Sequence, residues 1–227
     1  MRCGESSRVK FDEEGFHAVT QHCRCWQCDI CLPRRQAQLT AKAAAGRPNL
    51  FLTLTVNPAI GRDPTHRAQM LVEAWRIIRE RARKRWKGEK LPFLRVFEAT
   101  KRGEPHLHIL CRGKFLPQKW ISAQAAQLLG APIVHIEAIR KTKALASYVA
   151  KYVGKEPHKF GTSKRYYATR SYEVDPYEKP EPMLRIDGNW YADDRSLKDL
   201  EHGLRMEFWQ TALQGRELWA WKHDPPW

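Results

Sequence analysis

The chain has 227 residues, 42% of them hydrophobic, with 40 Lys and Arg against 25 Asp and Glu for a formal net charge of +15. That length can bury a full core, and no apolar run approaches the ~20 residues of a membrane helix, so no membrane partner is expected. The start, Met1-Arg2-Cys3-Gly4-Glu5-Ser6-Ser7, lacks the apolar stretch of a secretory signal, so the expected compartment is the cytoplasm. The charge excess, with aromatic residues at 11%, points to a polyanion, most simply nucleic acid.

Four of six cysteines crowd into Cys23-Arg24-Cys25-Trp26-Gln27-Cys28-Asp29-Ile30-Cys31. In a reducing compartment such density reads as a structural zinc (Zn2+) knuckle. Cys25, Cys28 and Cys31 supply three ligands, and the fourth is Cys23, Cys3 or His22. Cys23 lies only two residues from Cys25, a cramped spacing for one tetrahedron. Residues 36–45 read as helix, and Gly46-Arg47-Pro48-Asn49 breaks it.

Leu50 to Val56 is a β-rich run with Leu52, Leu54 and Val56 on one face and Phe51, Thr53 and Thr55 on the other. Residues 65–86 form an amphipathic helix marked by Leu71, Trp75, Ile78 and Ala82. Its outer face and tail carry Arg76, Arg79, Arg81, Arg83, Lys84, Arg85 and Lys87, a run that either is simply solvated or contacts phosphates. The strand from Leu94 to Thr100 then leads through Lys101-Arg102-Gly103-Glu104-Pro105 into His106-Leu107-His108-Ile109-Leu110, an antiparallel hairpin. Alternation places His106 and His108 on one face and Leu107 on the other. With Glu98 opposite His106, the three make a two-histidine, one-carboxylate metal site; Glu104 and Glu137 are the competing carboxylates.

Residues 117–129 read as a helix with Trp120, Ala123 and Gln127 or Leu128 marking its period, and 133–139 as a strand. His135 there shares a face with Glu137 and is a reserve ligand. Residues 143–155 favour helix, with Gly154 as its stop. Tyr148 and Tyr152 are neighbours on one face of that helix, flanked by Lys151 and Lys155. Residues 172–182 read as a linker. Ser196-Leu197-Lys198-Asp199 opens a further helix like a capping box, and Trp209, Trp219, Trp221 and Trp227 crowd the tail. That helix is expected to dock on the core; a stacking platform for bases is the sharper alternative.

These pieces together resemble the HUH endonucleases, and among them the two-tyrosine rolling-circle replication initiators of small single-stranded DNA bacteriophages and related plasmids. The matching stretches are Phe51-Leu52-Thr53-Leu54-Thr55, then Glu98 with Pro105-His106-Leu107-His108, then Tyr148-Val149-Ala150-Lys151-Tyr152-Val153-Gly154-Lys155. The resemblance covers roughly residues 48–170 and implies an α+β fold, a central antiparallel sheet flanked by helices, behind the Cys-rich knuckle. The expected organisation is 1–47 zinc-binding segment, 48–170 nuclease core, and 171–227 linker and Trp-rich helix packed on that core.

The resemblance also implies the chemistry. Mg2+ or Mn2+ on Glu98, His106 and His108 clamps a phosphate, Tyr148 and Tyr152 are nucleophiles, and Lys151 assists. The substrate is single-stranded DNA at a replication origin, left with a 5′-phosphotyrosine and a 3′-hydroxyl primer. No Gly-x-x-x-x-Gly-Lys-Ser/Thr pattern occurs, so unwinding is assigned to a host helicase and synthesis to a host polymerase. An HUH transposase or mobilisation relaxase shares the chemistry. A non-catalytic, zinc-containing nucleic-acid-binding protein shares only the charge and the cysteines.

Overall fold

The computed structural model describes residues 3–12, 15–88, 90–139, 157–174, 189–207, 209–214 and 217–221. The chain divides into two compact units, residues 36–179 and residues 1–35 with 180–227. Among the described residues it is α+β, with four helices and two antiparallel five-stranded sheets.

Helix α1 (Leu32–Ala45) leads into the larger unit. There β3 (Leu50–Leu54), α2 (Pro64–Arg85), β4 (Phe93–Ala99), β5 (Pro105–Cys111), α3 (Gln118–Leu129) and β6 (His135–Ala138) follow in order. The strand order is β6-β3-β5-β4, with β7 (Tyr166–Ala168) added beside β4. In each of the two β-α-β crossovers a third strand lies between the parallel pair, the split arrangement of ferredoxin-like sheets. Leu50, Leu52 and Leu54 of β3 face the helices together with Phe93, Phe97, Leu107 and Ile109, and pack on Leu71, Trp75 and Ile78 of α2. The α2 stripe is the one its 3.6-residue period predicts. Asp63 caps α2 by accepting from His66 N–H at 2.8 Å, and Pro64 opens it, where a missing amide costs nothing.

Helix α3 departs from the expected face. Ile121, Ala125 and Leu129 are its buried positions, whereas Ala123 and Gln127 are exposed. Trp120 is partly buried and meets Trp86 edge to face at 5.0 Å. The helix is apolar around most of its circumference, so its period alone could not select the inner stripe.

The β4–β5 hairpin turns over Thr100–Glu104. Thr100 N–H donates to Glu104 O at 2.9 Å, Gly103 N–H to Thr100 O at 2.9 Å, and Glu104 N–H to the Thr100 hydroxyl at 3.0 Å. Gly103 sits at φ +78°, a left-handed conformation that glycine adopts without a Cβ penalty. The Glu104 carboxylate receives both Nε and Nη2 of Arg67 on α2, at 2.7 and 2.8 Å. Arg67 is buried, so this bidentate pair ties the start of α2 to the hairpin turn.

The smaller unit was not foreseen. β1 (Ser7–Asp12), β2 (Gly15–Thr20), β8 (Tyr191–Asp193), β9 (Gln210–Gln214) and β10 (Glu217–Trp221) form one sheet in the order β8-β1-β2-β10-β9. Helix α4 (Leu197–Met206) has the full capping box of Ser196 and Asp199. Its Leu197, Leu200 and Leu204 bury against Val9, Phe16, Ala18, Leu218 and Ala220 of this sheet. The helix expected on the 48–170 core therefore contributes to this second core. Trp219 and Trp221 lie on a strand rather than a helix, on the face opposite Leu218 and Ala220.

Removing one partner of a largely buried ion pair leaves the other charge uncompensated, which costs about 3 kcal/mol. Glu104→Ala is therefore expected to lower stability by about that amount in urea unfolding.

Candidate metal centre

The hairpin register builds the centre. Glu98 pairs with His106, and Val96 with His108, across β4 and β5. On the other side of β5, Thr53 of β3 pairs with His108. Side chains of paired residues share a face, so Thr53, Glu98, His106 and His108 all project from the side away from α2 and α3.

Glu98 Oε2 accepts from His108 Nε2 at 2.7 Å, and the Thr53 hydroxyl lies 3.0 Å from His108 Nδ1. Phe51 stacks on the His108 ring with centroids 5.8 Å apart and planes at 14°. His108 is thus buried and held on three sides, by a hydroxyl, a ring and a carboxylate. His106 stands edge to face with it at 6.2 Å and is less buried. Partial burial and then the neighbouring His108 push the His106 pKa below its ordinary value, against the opposing pull of Glu98. The imidazole is therefore neutral at pH 7 and its lone pair is available.

One ligand atom from each of Glu98, His106 and His108 lies within 4.8 Å of the others, so this group could hold a metal ion. Two imidazole nitrogens and one carboxylate oxygen suit a first-row divalent ion and leave coordination positions open. With His108 Nε2 on an ion, its Nδ1–H donates to Thr53, the outer-shell hydrogen bond that fixes a ligating imidazole. Thr53 is the candidate supporting residue that sequence reasoning missed in this role. Its signal was present, since Thr53 alternates with the buried leucines of β3, but only strand pairing puts it against His108.

The competing carboxylates are engaged elsewhere. Glu104 holds Arg67, and Glu137 pairs with His135 at 2.7 Å, where both are well exposed. His135 pairs with Thr53 across β6 and meets Phe51 at 6.1 Å, but it is not part of the ligand group. Tyr148, Lys151 and Tyr152 lie outside the described residues.

The cysteines form a second group. Sγ atoms of Cys3, Cys23, Cys28 and Cys31 come within 4.8 Å of one another and could hold a metal ion. Zn–S bonds of ~2.3 Å imply sulfurs about 3.8 Å apart in a tetrahedron. Cys3 to Cys31 is 3.4 Å and Cys23 to Cys31 is 3.8 Å, close to that geometry. Cys25 is exposed and outside the set, its thiol directed to Cys23 O at 3.5 Å. In the group brought together here, Cys3 stands where the expected set had Cys25. His22 Nδ1 reaches Cys3 Sγ at 3.5 Å without joining the four. The Cys25 backbone N–H lowers the Cys23 thiol pKa to about 6. Cys28 and Cys31 lead straight into α1, with Leu32 N–H donating to Cys28 O at 2.8 Å.

An α+β chain with a His/His/carboxylate group on one sheet face and a four-cysteine group elsewhere is a candidate metalloprotein, and its +15 charge suits a nucleic-acid substrate. Residues 49–157 match a family model described as Replication-associated protein ORF2. That match spans Glu98, His106, His108 and both candidate tyrosines. No curated protein and no solved structure matches the chain. No helix among the described residues is long and apolar enough to cross a membrane.

Loss of an outer-shell partner weakens a metal site about 10- to 100-fold. Thr53→Val is expected to weaken Mn2+ binding by that factor in a calorimetric titration while leaving zinc content unchanged. For the cysteine group, Cys3→Ser is expected to lose zinc and Cys25→Ser to retain it, read by elemental analysis of the purified protein.

Proposed function

We propose that this chain is a two-tyrosine rolling-circle replication initiator of the HUH endonuclease type, with residues 48–170 as its nuclease core. The observation that carries the reading is the convergence of Glu98, His106 and His108 on one sheet face inside the stretch that matches the replication-associated family. The substrate is single-stranded DNA at a replication origin, in the cytoplasm of a bacterial host whose helicase and polymerase extend the product.

Glu98, His106 and His108 hold Mg2+ or Mn2+, which supplies Lewis-acid polarisation of the scissile phosphate. Thr53 and Phe51 keep His108 oriented during the reaction. Tyr148 or Tyr152 attacks the phosphorus through its hydroxyl oxygen. A tyrosine–phosphorus bond forms, the bond to the 3′ oxygen breaks, and the tyrosine proton ends on that 3′ oxygen. Lys151 stabilises the tyrosinate, whose unperturbed pKa of ~10 makes it a weak nucleophile at pH 7. The phosphodiester energy is conserved, so the second tyrosine can cut the new junction and the first end can be religated.

Ile139 N–H donates to Asn49 O at 2.8 Å, and His158 N–H donates to Phe97 O at 2.9 Å, next to Glu98. Ile139 and His158 are thus each tied to or beside a strand of the sheet that carries the candidate ligands. The four-cysteine group holds structural Zn2+.

The decisive experiment incubates the protein with labelled single-stranded origin DNA in Mn2+, Mg2+ or EDTA. A metal-dependent covalent adduct is expected, abolished in the Tyr148→Phe/Tyr152→Phe double variant and slowed about a thousandfold in His106→Ala. An adduct surviving the double variant would overturn the tyrosine assignment. Uncut but bound DNA would favour the non-catalytic reading.

A further inference from the structure

The basic run of α2 separates by what each side chain touches. Arg76 is held by Glu73 and Glu80, each at 2.5 Å, and Arg81 donates to Gln124 and Gln127 at 2.5 and 2.6 Å. Arg79 differs. Its guanidinium lies 4.6 Å over the Phe93 ring, and its buried Nε has no hydrogen-bond partner among the described residues.

Arg95 on β4 repeats the pattern. It is 8% exposed, and its guanidinium lies 5.3 Å from the Phe97 centroid and 5.6 Å from that of Tyr167. Its Nη1 is buried, again with no hydrogen-bond partner among the described residues. Arg95 pairs with Tyr167 across β4 and β7, so the two share the helix-bearing face. Lys164 Nζ stands 5.9 Å over the Tyr167 ring, and the Phe93 and Tyr167 centroids are 5.8 Å apart.

Three cations therefore surround one aromatic cluster, and no carboxylate pairs with Arg79 or Arg95 among the described residues. Burial lowers the pKa of both arginines. A guanidinium laid against rings with a buried, unpaired N–H carries a desolvation cost that an external anion would offset. Tyr167 is 40% exposed at the edge strand, so part of its ring is open to a flat partner. Cations beside an open aromatic ring are what a single strand needs, with phosphates on the charges and a base on the ring.

We propose that Arg79, Arg95, Lys164 and Tyr167 form a second contact for single-stranded DNA, on the sheet face opposite Glu98, His106 and His108. The choice of DNA rests on the function proposed above; the site itself rests on the unpaired arginines and the open ring. The contact anchors the strand without taking part in cleavage.

Its test uses the full chain and a fluorescent 20-nucleotide oligo(dT), titrated in EDTA at several salt concentrations. Tyr167→Ala is expected to weaken binding about tenfold and Tyr167→Phe to retain it. The Arg79→Gln/Lys164→Gln double variant is expected to reduce the slope of log affinity against log salt by about 1.4, two phosphate contacts. A wild-type complex made with 5-bromouracil oligonucleotide should photocrosslink to the peptide containing Tyr167, a readout independent of variant folding. Unchanged affinity and slope, or crosslinks elsewhere only, would overturn the proposal, as would a wild-type chain that binds no oligonucleotide. If these effects appear but no covalent adduct forms with origin DNA, the cleavage reading fails and this contact stands.

Discussion

The pairing of Glu98 with His106 is the constraint on which the candidate centre depends. It is set by a five-residue turn, Thr100–Glu104, closed by three local hydrogen bonds and a glycine at positive φ. Side chains alternate along a strand, so a slip of one residue would send Glu98 to the helix side and bring an apolar residue to the ligands. The Arg67–Glu104 pair reinforces the turn from α2, outside the centre itself. The turn thus carries geometry while the strands carry chemistry, and the acid nearest the histidines in sequence serves the former.

The same alternation gives the sheet two different faces. One is the leucine-rich side that buries α2 and α3. The other holds His108 among Phe51, Thr53 and Glu98, a surround that fixes the ring and leaves His106 more open. Partial burial lowers the pKa of the half-buried imidazole of His106, and the Thr53 contact orients the buried one of His108.

Charge is handled unevenly across the molecule. Arg76 finds exposed acids, worth little to stability, whereas Arg79 and Arg95 are tucked against rings without acids. A net charge of +15 therefore understates the local contrast. The distribution matters more for binding than the total, because solvated ion pairs are already neutralised and the aromatic-backed arginines are not.

Several features were determined by the sequence alone. The helix at 64–85, the β4–β5 hairpin, the shared face of His106 and His108 and the capping box at Ser196 follow from local periodicity and turn chemistry, which act over a few residues. The inner face of α3 was not legible, because its apolar residues run nearly all the way round. Nor was the choice of Cys3 over Cys25, since it depends on the chain start folding back through β1 and β2. The sheet that joins β2 to β10 was decided only in three dimensions, because nothing local in Gly15–Thr20 or Glu217–Trp221 names its partner. Thr53 belongs with these: its place against His108 rests on strand pairing between residues 55 apart, a distance at which no periodicity survives.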